Sequence, residues 1–296
     1  MLADLLKVQV DMANATAELA MAMLGANMLK HVAPRPGRKV PVITLPGLMM
    51  SEASLERLNR FLRQQGFHAR GWGLGRNRGL RGVEWPDSLR RIRRHLTDQI
   101  KRLSDESSAA VSLVGHSMGG IYARELAQTM EGQIDRVITL GSPTLHPYKA
   151  DRHNRFTMRV ADVINQQRAA KLGGRKGLLH WDPDQPALPF VAIRSPVDGL
   201  VDEDNCAIPD YIVAQSRPES PRENIRVLSS HMGMTISPFV MLAVADRLVA
   251  DRSDWHPFNP DAYFPMYMRR AAGMFYPQRR TLPEGRGLGP FARMKQ

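Results

Sequence analysis

The sequence is poor in the residues that build covalent or metal-held frameworks. Its single cysteine, Cys206, excludes an internal disulfide and any cysteine-rich metal site, and it fits a reducing compartment. The histidines show no His-Glu-x-x-His or comparable ligand spacing, so no catalytic metal is expected. Long apolar runs are missing as well. The uncharged stretch Leu19–Leu29, between Glu18 and Lys30, is too short to span a bilayer, and the N-terminus lacks the basic start and cleavage site of a secretory signal. Neither a signal peptide nor a transmembrane helix is therefore expected. Phosphate-cradling loops fail too: Gly-x-Gly-x-x-Gly breaks at Arg76 counted from Gly71 and at Arg78 counted from Gly73, and no Gly-Lys-Ser/Thr follows. No cofactor is expected.

What remains is an ordinary globular composition with a basic bias. At 296 residues and 43% hydrophobic, the chain can bury the core of one large α/β domain. Lys and Arg number 41 against 29 Asp and Glu, a formal charge of +12. That excess suits solubility, an anionic membrane surface, acidic substrates or nucleic acid. Residues 1–37 read as a helical segment and linker, 38–250 as the α/β domain, and 251–296 as a tail of aromatics among prolines and arginines. The tail is expected to wrap around the domain; no nucleic-acid module accompanies it, so no nucleic-acid partner is expected. Arg90, Arg91, Arg93, Arg94, Lys101 and Arg102 lie mostly off the apolar face of a helix marked by Leu89, Ile92, Leu96, Ile100 and Leu103. They read as a solvated face, with a phosphate-binding or anionic-lipid surface as the sharper alternative. The expected setting is cytoplasmic, with peripheral membrane association open and the oligomeric state undetermined.

The chemistry centres on Val111–Gly120. A β-branched run ends in Gly115-His116-Ser117-Met118-Gly119-Gly120, and a helical pattern (Ile121, Tyr122, Leu126, Ala127) begins at once. Ser117 thus falls on a sharp strand-to-helix turn that needs small residues at Gly115 and Gly119. Further strands are expected at Lys39–Leu45, Phe67–Trp72, Arg136–Leu140, Phe190–Arg194 and Ile225–Leu228. Two more residues follow strand ends in a telling order. Asp198 lies in the tight Ser195–Asp202 loop after one strand, and His231 lies in Ser229–Met234 after the next, before a helix over Ser237–Val249. Asp202 also follows the first of these strands, but Asp198 sits nearer its end. A serine hydroxyl needs an imidazole to take its proton, and the imidazole needs a carboxylate to hold its tautomer.

The elbow resembles that of an α/β-hydrolase, and this resemblance implies one oxyanion-binding N–H in the glycine loop after the first core strand, Pro46-Gly47-Leu48, and another on the residue after the serine, which names Leu48 and Met118. The stretch Gly73–Gly79 reads as a loop bordering the site. Between residues 144 and 188 no core strand is expected, and this interval reads as a cap inserted over the site.

Over roughly Val40 to Val249 the chain resembles the α/β-hydrolase superfamily, in its lipase and carboxylesterase branch. The resemblance rests on Pro46-Gly47-Leu48, the Gly115–Gly120 run, Asp198-Gly199-Leu200-Val201 and His231-Met232-Gly233. It implies an α/β fold with a mostly parallel sheet, helices on both faces, and hydrolysis of small-molecule or lipid esters through an acyl-enzyme. No antiparallel strands are evident before Val40, which points to a minimal sheet of about six strands. Pro46 stands where a histidine is usual before the oxyanion glycine. The triad leaves the acyl acceptor open, so acyl transfer and thioester hydrolysis stay compatible with it, as does a non-catalytic binding protein.

Overall fold

The short apolar runs become strands of one sheet in the computed structural model, which describes residues 9–16, 18, 29, 31–79, 85–130, 132–143 and 187–277. The strands are β1 (Pro41–Leu45), β2 (His68–Gly71), β3 (Val111–His116), β4 (Ile134–Leu140), β5 (Phe190–Arg194) and β6 (Arg222–Arg226). They form a six-stranded sheet in the order β2-β1-β3-β4-β5-β6, with every neighbouring pair parallel. Every residue of β1, β3 and β5 is buried, as expected of a parallel sheet with helices on both faces.

Alternation along the strands divides the core in two. Ile43, Leu45, Val111 and Leu113 face α2 (Trp85–Ser107) and α3 (Met118–Ala127). Val42, Val114, Ile138, Val191 and Ile193 face α1 (Glu56–Gln65) and α4 (Pro238–Val249). Ile92, Leu96, Ile100 and Leu103 of α2 are buried, while Arg90, Arg91, Arg94, Lys101 and Arg102 are exposed. Arg93 turns instead to Glu125 of α3 in an ion pair.

Two elements depart from expectation. β6 starts at Arg222 and not Ile225, because Arg222-Glu223-Asn224 pairs with β5 at the sheet edge, where only one face of a strand must be apolar. A further helix, α5 (Met266–Phe275), is hidden in the sequence by the prolines and aromatics around it. The segment carrying it wraps the domain: Trp255 lies under the Arg247 guanidinium, Tyr276 donates to the Phe239 carbonyl at 2.8 Å, and Phe264 is buried. The cap expected at 144–188 falls on residues 144–186, which lie outside the described residues. Residues 9–16 and 18 are helical. Among the described residues no helix is long and apolar enough to cross a membrane.

The strand order places the site. Chain progression runs one way from β1 to β2 and the other way from β3 to β6, so the carboxyl ends of β1 and β3 flank the crevice where such sheets bind ligands.

Candidate active site

Ser117 sits at that crevice, on the turn between β3 and α3, with φ 52° and ψ −122°. A non-glycine residue rarely adopts this backbone, and holding it there costs about 1–3 kcal/mol. Close packing enforces the turn. A Cβ at Gly115 would overlap the Gly119–Gly120 backbone, and one at Gly119 would overlap the Leu45 carbonyl. Ser117 N–H donates to Leu140 O at 2.9 Å, and its carbonyl accepts from Gly120 N–H at 3.0 Å. The half-buried serine is thereby presented above the sheet.

Asp198 and His231 meet at the same end of the sheet. His231 Nδ1–H donates to Asp198 Oδ2 at 2.7 Å, with both side chains buried. Asp198 Oδ1 accepts from Leu200 N–H at 2.8 Å and Val201 N–H at 2.7 Å. Burial alone pushes the His231 ring towards neutrality; the charge and hydrogen bond of Asp198, with the charge of Asp11, outweigh it and hold the pKa above the usual 6.5. The Nδ1–H···carboxylate bond leaves Nε2 as the proton acceptor of the neutral ring. Among the described residues no hydrogen bond joins Ser117 Oγ to His231. Such bonds are often open without substrate and tighten in its complex. Asp202 makes no bond to His231 and is half-buried at the start of a helical turn, Glu203–Cys206. Behind the acid loop, Glu203 ties Arg194 of β5 to Arg226 of β6, at 2.7 Å from each.

The proposed oxyanion loop lies against the serine. A Cβ on Gly47 would stand 3.1 Å from Ser117 Cβ and 3.0 Å from His116 Nδ1. Met118 is the first residue of α3, so the helix's own ladder has no use for its N–H. Leu48 N–H donates to none of the described residues.

Several residues here carried no sequence signal. Asn77, fully buried, pins the Pro46–Met50 loop: Nδ2 donates to Pro46 O at 2.8 Å, its main-chain carbonyl accepts from Met49 N–H at 2.6 Å, and its N–H donates to Met50 O at 2.8 Å. The Gly73–Gly79 loop, expected to border the site, thus supports the Pro46–Met50 loop. His116 Nε2–H donates to the His231 carbonyl at 2.9 Å; burial, with the nearby His231, pushes its pKa down to about 3, so it is neutral. Asp11 and Glu18 reach the His231 loop from the N-terminal helical segment. Among the described residues no group of three or more His, Cys, Asp or Glu is placed to hold a metal ion.

The parallel sheet, its strand order and the strained serine at the β3–α3 turn define the class of fold: it is an α/β-hydrolase fold. Residues 87–217 match the family model of the PGAP1-like alpha/beta domain, a span that includes Ser117 and Asp198 and stops short of His231. Similar solved structures include an esterase of Pyrococcus furiosus, at 14% identity over 72% of this chain and 83% of that chain with a TM-score of 0.49. The monoacylglycerol lipase of Paleococcus ferrophilus is similar at 15% identity over 72% and 96%, TM-score 0.46. A methylesterase from Arabidopsis is similar at 18% identity over 71% and 98%, TM-score 0.46. No curated protein sequence matches the chain.

Proposed function

We propose that the chain is a serine hydrolase of carboxylic esters, lipid-like esters included, working through an acyl-enzyme on Ser117. The observation that carries this reading is the closed Asp198–His231 pair, 2.7 Å long, at the sheet end where Ser117 is held strained. His231 Nε2 takes the Ser117 proton as Oγ attacks the ester carbonyl. The oxyanion formed is held by the N–H groups of Leu48 and Met118, the latter at the positive end of α3. His231 then gives its proton to the departing alcohol, leaving Ser117 acylated. Water, deprotonated by His231, attacks the acyl carbon and frees the acid and the serine. Asp198 keeps Nδ1 protonated throughout and stabilises the imidazolium.

Covalent labelling tests this. A serine-directed fluorophosphonate should modify Ser117, and Ser117→Ala should abolish both labelling and turnover of short acyl esters. A wild-type protein that labels no faster than bulk serine overturns the reading. Residual turnover of the alanine variant should not exceed roughly 10³ to 10⁴ over water, the share of binding and oxyanion stabilisation alone. Labelling without ester turnover points to an acceptor other than water or to a thioester, distinguished by adding alcohols or supplying thioesters.

A further inference from the structure

The loop that carries His231 is irregular, so its backbone N–H groups must find partners outside any ladder. Five in succession go to side-chain oxygens. Ser229 N–H donates to Ser195 Oγ at 3.2 Å, Ser230 N–H to Glu18 Oε1 at 2.5 Å, His231 N–H to Asp11 Oδ1 at 2.7 Å, Met232 N–H to Asp11 Oδ2 at 3.2 Å and Gly233 N–H to Ser230 Oγ at 2.9 Å. The oxygen on His231 N–H also accepts from Gly199 N–H, next to Asp198, at 3.0 Å. One carboxylate therefore joins the backbone of the acid loop to that of the base loop. Ser229 Oγ adds a bond to Glu18 Oε2 at 2.7 Å.

From this geometry we infer that Asp11 and Glu18 are positioning residues of the active site, which fix His231 against Asp198 from the N-terminal helical segment. The inference rests on the serine-hydrolase reading for its consequence in turnover. Seven residues apart, the two side chains share one helix face, and both are buried, Asp11 at 1% and Glu18 at 7% exposure. Two serine hydroxyls already serve N–H groups of this loop, so hydrogen bonding alone does not require carboxylates, whose burial is far more costly. What a carboxylate adds is charge beside a ring that becomes cationic during turnover. The groups facing His231 are Asp198 from the loop after β5, neutral His116 from β3 with its ring centroid 4.8 Å away, and Asp11 from the N-terminal segment. Glu18 stands behind them on Ser229 and Ser230. Its own pKa is raised, by burial first and by Asp11, against the lowering bonds from those serines.

The test uses the full chain with Asp11→Asn, which keeps an acceptor oxygen and removes the charge, and Asp11→Ala, which removes both. The exposed Gln9→Ala on the same segment is the control. The His231 ring is titrated by NMR, and kcat and KM for a short acyl ester are followed against pH. In Asp11→Asn the ring midpoint should fall by about half a pH unit or more, from the loss of a nearby charge, with the acid limb of activity following it. Asp11→Ala should lower kcat by about ten- to a hundredfold at nearly constant KM, the effect of a misplaced base. A ring midpoint unchanged in Asp11→Asn overturns the inference, because a merely structural residue would leave it unmoved. The titration needs no turnover: an inactive wild-type protein overturns the hydrolase reading, while a lowered midpoint in Asp11→Asn still upholds the clamp on His231.

Discussion

Replacing Asn77 with alanine tests how the proposed oxyanion loop is held. The side chain is fully buried and makes two hydrogen bonds, one to Pro46 O at 2.8 Å and one from Gly79 N–H at 3.0 Å. Alanine leaves that carbonyl and that N–H without their partner. Stranding a buried polar group costs about 1–3 kcal/mol, so the fold should lose about 2–4 kcal/mol. The main-chain bonds of residue 77 to Met49 and Met50 persist in alanine, but without the side-chain bond to Pro46 O the start of the loop would be free to shift, and the Leu48 N–H with it. Loss of one oxyanion donor lowers turnover by about 10² to 10³. Equilibrium urea unfolding measures the first effect and the rate of fluorophosphonate labelling the second. An unchanged urea midpoint with wild-type labelling would refute the reasoning. Destabilisation with undiminished labelling would show that Asn77 supports the loop without setting the position of the Leu48 N–H.

Two further predictions concern the base and its acid. Asp198→Asn should lower kcat on the order of 10⁴-fold, as loss of the correct histidine tautomer does elsewhere, while Asp202→Asn should act as wild type; the reverse ranking, read from ester turnover, would move the acid role to Asp202. The His231 pKa is raised above 6.5, and only the neutral ring can accept the serine proton, so kcat/KM should fall through a midpoint above 6.5 as pH drops. A pH profile of ester turnover checks this, and activity flat to about pH 4, well below the histidine range, excludes a histidine base.

The legible parts of this chain are those whose signal is local. Ser117 is readable because strand, glycines and helix all fall within ten consecutive positions, and the turn they make leaves no room for side chains at Gly115 and Gly119. Asp198 and His231 are readable because each follows an apolar strand and the chain order is informative. β6 misleads because an edge strand tolerates Arg222-Glu223-Asn224, whose polarity resembles a loop. Asn77 is invisible among the glycines and arginines of its loop: its partners, Pro46 and Gly79, give no pattern. Asp11 and Glu18 are harder still. Acidic residues at helical spacing look like a solvated face, and their partners are as far as 221 residues along the chain.

The two halves of the site are stabilised in different ways, and this bears on how each responds to change. The strain at Ser117 is met by contacts among β1, β3, β4 and α3, all within the parallel core, so the serine's geometry should persist as long as the sheet does. The His231 loop takes less from that core: His116 of β3 donates to the His231 carbonyl at 2.9 Å, and the rest of its support comes from elsewhere. Its backbone is held by Ser195 from the acid loop and by two carboxylates from the N-terminal segment, and Leu228 just before it donates to the Phe275 carbonyl at 2.8 Å at the end of α5. Segments from either side of the α/β core therefore converge on His231. Local opening free energies are lowest where buried apolar contacts are few, so perturbing either segment should release His231 before it disturbs Ser117. Activity would then be lost while the sheet remained folded, with the serine still strained at its turn.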